Sequence, residues 1–309
     1  MKLCVAPTVL LLSLMLSPMG CLYELVEDTS VDRGDDTAAP DDTATDDTGS
    51  SDTGSDDSGD PDPEDTDTDS GGDSGGDGLD CSDLPVCDDF EGDSVGSAPS
   101  TSRWTVETPH CSGDGSISVD TTVAHSGSNS VRISGSGGYC NHVFIAPTIS
   151  LEDLGDEIHG RFFVRFDDPL GMQHVTFLAL HDSVQDKDLR MGGQSSILMW
   201  NRESDDATLP ELSPTGIAAS HAPAADSWVC VEFALNGPEG TIHTWVDGAL
   251  IDGLVVDGVK TNDVDNRWLD MDWSPNFVDV RFGWESYGGV NAGLWFDDIA
   301  MSSEPIGCE

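Results

Sequence analysis

An imidazole and two guanidiniums interrupt one apolar run, His159-Gly-Arg161-Phe162-Phe163-Val164-Arg165-Phe166. Successive side chains of an extended strand point to opposite faces. Phe162, Val164 and Phe166 would then share one face, and His159, Arg161 and Arg165 the other, with Phe163 the one apolar residue among them. The first set suits a core. The second gathers positive charge within about 20 Å of strand, and it reads as the floor of a groove for an anionic guest, because guanidinium can bind a carboxylate through two hydrogen bonds. Imidazole titrates near neutral pH, so His159 or His174 could take a proton, and Tyr287 could serve as acid or base. Tyrosine is scarce: Tyr139 and Tyr287 are the only two beyond residue 80.

Other polar groups are candidates for holding a sugar. Asn201 and Arg202 open the dense polar turn Asn201-Arg202-Glu203-Ser204-Asp205-Asp206, which either rims the groove and bonds hydroxyls or is a salt-bridged loop. Alternation puts Trp245 with His243 and Asp247, opposite Ile242, Thr244 and Val246. A tryptophan on a polar face is a stacking platform, whereas Trp104, Trp228 and Trp295 read as packing. Glu203 and Glu285 could make a glycosidase pair, but nothing marks them above the other acids. Gly92-Asp93-Ser94-Val95-Gly96 matches G-x-S-x-G, as does Gly72-Asp73-Ser74-Gly75-Gly76. That motif needs a strand-to-helix turn, so no serine hydrolase follows.

The elements that must position these groups are strands. Alternating or apolar runs occur at Ser130–Ser134, His159–Phe166, Val175–Leu180, Ile197–Trp200, Trp228–Leu235, Thr241–Val246, Val278–Trp284 and Leu294–Met301, separated by Gly, Pro, Asn and Asp. No stretch sustains a helical period. The expected fold is all-β, a β-jelly-roll sandwich of the concanavalin-like or lyase-like kind over 81–309. In such domains the first and last strands lie side by side. Acids at those ends, Glu91, Asp297 and Asp298, with Ser126 and Asn129 from a nearby loop, supply the hard oxygens of a structural calcium site. The competing reading has them capping strand ends in water.

Residues 1–20 read as a signal peptide. Met1-Lys2-Leu3 leads into a short apolar run, and Ser17-Pro18-Met19-Gly20-Cys21 resembles a lipoprotein signal end, with Cys21 the lipidated residue. The expectation is an exported protein, held at the cell surface or outer membrane as a lipoprotein, or else secreted. Membrane contact would come only through that anchor. Residues 21–80 are Asp, Thr, Ser, Gly and Pro with about 22 acids and one base (Arg33), a composition that stays a disordered, extended stalk. Asp65-Thr-Asp67-Thr-Asp69-Ser-Gly71 mimics a calcium loop but lacks its closing Glu. With a net charge of -47 the chain repels nucleic acid and anionic membrane. A monomer is expected.

Six cysteines follow Cys21, namely Cys81, Cys87, Cys111, Cys140, Cys230 and Cys308. An even number in an exported chain implies disulfides. Cys111–Cys140 is the expected bridge, preferred to a metal site built from His110-Cys111 and Cys140-Asn141-His142. A bridge from the Cys81/Cys87 region to Cys308, with Cys87 as the candidate, would join the ends of the domain.

Asp89-Phe90-Glu91-Gly92, Ser126-Gly127-Ser128-Asn129-Ser130-Val131-Arg132, Leu189-Arg190-Met191-Gly192-Gly193-Gln194 and Trp295-Phe296-Asp297-Asp298-Ile299 together resemble the core domain of the cellulose-induced proteins of fungi and their bacterial relatives, whose jelly roll is shared with glucuronan lyases. The resemblance covers nearly all of Cys87–Cys308. It implies a calcium held by Glu, Ser/Asn and Asp residues and a face that meets polysaccharide. It also implies a groove strand of His-x-Arg type, matched by His159-Gly-Arg161, with a glutamine four residues on, where this chain has Arg165. Lyase action on a uronate would use Arg161, Arg165 or Gln194 to neutralise the carboxylate, His159 or His174 as base, and Tyr287 as acid or base. The alternative is a non-catalytic carbohydrate-binding surface module, and a purely structural lectin-like domain is weaker still.

Overall fold

In the computed structural model, which describes Cys81 and residues 84–109, 113–135, 142–288 and 292–308, all eight of these runs are extended. The described strands are, in chain order, β1 (Val86–Asp88), β2 (Trp104–Glu107), β3 (Ser116–Asp120), β4 (Ser130–Gly135), β5 (Val143–Pro147), β6 (Glu157–Phe166), β7 (Val175–Asp182) and β8 (Lys187–Gln194). There follow β9 (Ile197–Arg202), β10 (Ala207–Leu209), β11 (Trp228–Asn236), β12 (Thr241–Val246), β13 (Ala249–Leu250), β14 (Phe277–Ser286) and β15 (Ala292–Ser302). Among the described residues the one short α-helix, α1 (Pro214–Ala219), is capped by Ser213, whose Oγ accepts from the Gly216 amide at 3.0 Å. Two antiparallel sheets result. The first has the order β13-β12-β11-β6-β15-β4-β3, with β1 paired to the end of β15; the second is β10-β9-β8-β7-β14-β5-β2.

Alternation decides which face of each strand is buried. On β6, Phe162, Val164 and Phe166 enter the space between the sheets, as the period of two requires. There the Phe162 ring meets Phe177, Phe282 and Phe296 edge-on at 6.3, 5.6 and 5.7 Å. Phe162 and Phe296 belong to the first sheet, Phe177 and Phe282 to the second, so one aromatic cluster joins the layers. Edge-to-face contact suits the ring quadrupoles, and each buried phenylalanine adds about 1.5–3 kcal/mol of transfer free energy.

β8 has no alternating signature, because its sequence Lys-Asp-Leu-Arg-Met-Gly-Gly-Gln sets two glycines and three charges into a buried strand. Gly192 is there for close approach: a Cβ would lie 1.8 Å from the Val175 carbonyl oxygen of β7.

The ends of the domain do lie side by side, Val86 facing Met301 and Asp88 facing Ile299. The covalent link is different from the expected one. Cys87 is bonded to Cys81, and Cys308 to Cys230 on β11. The reason is the course of the C-terminal tail, which leaves β15 and crosses β6 towards β11. Arg161 on β6 donates to the Gly307 carbonyl at 3.2 Å, and the Gly307 amide donates to Glu232 on β11 at 2.9 Å. The Cys230–Cys308 bridge spans 78 residues, a closure worth roughly 2–4 kcal/mol. Cys21, Cys111, Cys140 and the stretches 1–20 and 21–80 lie outside the described residues.

Candidate functional site

The outer face of β6 carries His159, Arg161, Phe163 and Arg165, as alternation requires, but it is not a groove floor. His125 stacks on Phe163 with ring centroids 3.4 Å apart, and the Arg161 guanidinium lies 5.5 Å from the same ring. Arg161 is 4% exposed and donates to the carbonyls of Asp298 and Gly307. Burial pushes its guanidinium down from its usual value, while Asp298 and Glu232 act the other way. Arg165 pairs with Asp226 at 2.7 Å beside the Trp295 ring. The loop at Ala124–His125 and the C-terminal tail roof this strand; Arg161 fastens the tail, and Arg165 fastens the segment before β11. His159, bonded to Glu157 at 3.0 Å, lines a separate small cleft with Trp245.

The other three expected catalytic residues come together on the second sheet. His174 precedes β7, Gln194 ends β8 and Tyr287 follows β14. The Tyr287 amide donates to the His174 carbonyl at 3.1 Å, tying two strand ends together. Close by, register shifts break the β7–β8 pairing between Thr176 and Leu178 and the β14–β7 pairing between Phe282 and Glu285. Bulges of this kind re-aim side chains. Here they accompany Gly192 and Gly283, the latter also a close approach, with a built Cβ only 2.1 Å from the Val143 carbonyl oxygen.

The result is a stack of chemistry-bearing groups. The His174 and Tyr287 rings are stacked at 5.2 Å, and the Arg190 guanidinium sits 5.5 Å from the Tyr287 ring. The Tyr287 hydroxyl donates to Glu285, which also meets His142 Nε2 at 3.3 Å. Arg190 is held by Glu203 at 2.8 Å, while its Nε is buried without a hydrogen-bond partner, as is His174 Nε2. Burial first, and then the Arg190 charge, push the His174 imidazole down to about 4. Burial, and then the bond to Glu285, raise the Tyr287 phenol well above its usual range. At neutral pH the site therefore holds an uncharged imidazole and a protonated phenol beside a fixed cation. Of these groups His174 lines a cleft of about 550 Å³, together with Gln194, Asp206, Thr208, Glu211 and Arg267, among others.

Asn201 and Arg202 do not project into this cleft. Asn201 is fully buried and donates to Asp206 and to the Ala207 carbonyl. Arg202 is 2% exposed, grips Asp205 with Nε and Nη2 at 2.9 and 2.8 Å, and lies against the Trp268 ring. The salt-bridged-loop reading of this turn holds, and the pair of expected sugar ligands is corrected to a structural one. Arg190 and Arg267 were not named as site residues by sequence reasoning, and Glu285 and His142 were weighed there only as one of a glycosidase pair and as part of a metal site. One signal was on the page: glutamine four residues beyond an arginine occurs at Arg190 and Gln194 on β8, with Asp188 in the histidine position.

The five expected calcium ligands surround one loop. Glu91 Oε1 accepts from the amides of Ser128 and Asn129 at 2.7 and 2.6 Å, and Asn129 Nδ2 donates to the Phe90 carbonyl. Asp297 accepts from the His125 and Ser126 amides, and Asp298 bonds His125 Nδ1 and Ser126 Oγ at 2.6 and 2.8 Å. Asp297 is fully buried; that burial, and then the neighbouring Asp298 charge, push its carboxyl up to about 8. Hard oxygens, among them those of a buried acid held by backbone amides, suit a hard cation. Among the described residues, however, the only group of three His, Cys, Asp or Glu ligand atoms within one ion's reach is Cys230, Glu232 and Cys308, whose cysteines are already bonded to each other. An ion would therefore need Asn, Ser or backbone oxygens beside the acids.

Two antiparallel sheets packed face to face, with strands β1 and β15 closing the ends, define a jelly roll of the polysaccharide-lyase-like class. Within that class the chain belongs to the Cip1-like family: residues 89–304 match its core domain. The solved "Cellulose induced protein, Cip1" is 41% identical with a TM-score of 0.66, over 72% of this chain and 100% of that one. An endo-β-1,4-glucuronan lyase from the fungus Trichoderma reesei is 15% identical with a TM-score of 0.48, over 72% and 96%. No curated protein matches the chain.

The His174 environment makes a stability prediction. Its folded pKa lies below the ordinary 6.5, so the unfolded chain binds the extra proton between those values. The stabilisation from neutral His174 is complete above pH 6.5 and is lost as pH falls towards 4. Denaturant unfolding of His174→Gln at pH 7 and pH 4 should show a pH-dependent loss smaller than the parent's by about 2 kcal/mol, allowing for solvent screening. An identical loss in both would place a freely titrating imidazole at this position.

Proposed function

We propose that the chain is an exported polysaccharide-binding protein whose second-sheet cleft cleaves a uronate-containing glycan by β-elimination. The observation that carries this reading is the stacked pair of neutral His174 and protonated Tyr287 beside Arg190. Arg190 and Gln194 would hold the C6 carboxylate, since a cation there stabilises the charge that develops when the C5 proton leaves. His174 takes that proton. The C5–H electron pair becomes the C4–C5 double bond, the C4–O bond breaks, and Tyr287 protonates the departing oxygen. Transfer between the adjacent rings, or through solvent, restores both groups. Glu203 and Glu285 are engaged by Arg190, Tyr287 and His142, which argues against their use as a hydrolase pair.

Cleavage creates an unsaturated uronate that absorbs in the near ultraviolet. Incubation with glucuronan, alginate and pectate should raise absorbance on at least one of them. His174→Ala and Tyr287→Phe should each slow that rise by about a hundredfold or more, the usual worth of a general acid or base, with melting temperature little changed. Silence on every polyuronate, with polysaccharide still retarding the protein in a gel, would leave the second reading: a non-catalytic carbohydrate-binding surface module. The acidic lining at Asp206 and Glu211 favours that reading, because it repels a polyanion.

A structural calcium belongs to the same proposal. Glu91, Asn129 and Asp297 would hold it, with Ser126 and Asp298 in support, and it would pin the loop that roofs β6. Calcium at a hundred times its dissociation constant should add about 2.7 kcal/mol of stability. Chelator should remove this in the parent and do nothing in Glu91→Gln; a melting temperature indifferent to chelator in the parent contradicts the site. Lipidation at Cys21 and display at the cell surface complete the proposal and follow from the leader alone.

A further inference from the structure

The small cleft on the outer face of the first sheet has its own construction. Cross-strand pairing sets Leu250, Trp245, Glu232 and Arg161 in one row across β13, β12, β11 and β6. The next row holds His243, Ala234 and His159. Residues on these rows share a face and neighbour one another. His243 and Trp245 stack along β12, the second strand from the sheet edge, at 6.0 Å, and Trp245 remains partly exposed. Opposite it the C-terminal tail makes the second wall with Pro305, Ile306 and Gly307, enclosing about 250 Å³.

Three bonds hold that wall in place. Cys308 is joined to Cys230, the Gly307 amide donates to Glu232, and Arg161 donates to the Gly307 carbonyl. The cleft therefore does not collapse when empty: its two sides are fixed by a disulfide and by a sheet. Its lining also selects by charge. Glu232 is the one carboxylate, already engaged by an amide, and neither lysine nor arginine is among the lining residues. In a chain of net charge -47, a cleft without a cation repels a uronate and admits a neutral ring. Flat apolar indole on one side and polar groups at the floor match the apolar face and hydroxyl rim of a pyranose.

We propose that this cleft is a second glycan site, which takes a neutral sugar residue of a polysaccharide against Trp245. It lies on the opposite sheet from His174, Gln194 and Tyr287, and so works whether or not those residues cleave. Binding through it would hold a neutral chain at one face of the sandwich while the other face meets its own ligand.

Native affinity electrophoresis in gels containing hydroxyethyl cellulose, xylan or galactomannan tests this, with tryptophan-fluorescence titration by the matching neutral hexaoses. At least one of the three should retard the protein. Trp245→Ala should weaken that binding about tenfold or more, and Trp245→Phe should recover part of it. Ile306→Asp, a change in the half-buried tail outside the sheet, should weaken it similarly. Arg190→Ala should leave it unchanged. No retardation by any neutral glycan, full binding in either Trp245→Ala or Ile306→Asp, or loss of binding in Arg190→Ala would each overturn the proposal.

Discussion

The edge-to-face contact of Phe162 with Phe177, Phe282 and Phe296 is the interaction on which the other arrangements rest. It is the point where β6 and β15 of one sheet meet β7 and β14 of the other. With side chains alternating at every residue, a ring fixed inward at 162 fixes Arg161 and Phe163 outward. A ring fixed inward at 282 likewise fixes Arg281 and, after the bulge, Glu285 outward on the far side. A slip of one residue in either strand would exchange core for surface, so the cluster sets the address of each polar group considered above.

That address separates two uses of charge. On the first sheet, Arg161 and Arg165 are spent on architecture, bonding a carbonyl pair and Asp226 beneath a roofing loop and tail. On the second, Arg190 stands beside Tyr287, next to an imidazole that burial keeps neutral. The buried, unpartnered Nε of Arg190 is a feature it shares with Arg161 and Arg165, so its neighbours are what set it apart.

Strand positions were legible wherever residues alternate or form an apolar run between turn residues, and all eight such runs are strands. β8 was not, because its glycines answer to the closeness of the neighbouring backbone rather than to a face. The sequence also named His174, Gln194 and Tyr287, which lie together on the second sheet, but grouped them with His159, Arg161 and Arg165, which lie on the first. Charge density on β6 pointed to a groove, and nothing in a single strand reveals that a loop 35 residues earlier and a tail 140 residues later will cover it. Disulfide pairing failed for the same reason, since Cys230 meets Cys308 only because the tail crosses two strands. Trp245 was read correctly as an outward indole; its sheet could not be read from alternation alone.

In the proposed reaction, chemistry belongs to the face of β8 and not to that of β6. Initial rates of Arg190→Ala and Arg161→Ala on the same polyuronate, each compared at equal folded fraction, test it directly. The account predicts a loss of about a hundredfold or more for Arg190→Ala, the scale of a lost charge stabiliser, and a rate near the parent's for Arg161→Ala. A silent Arg161→Ala beside an active Arg190→Ala would contradict it.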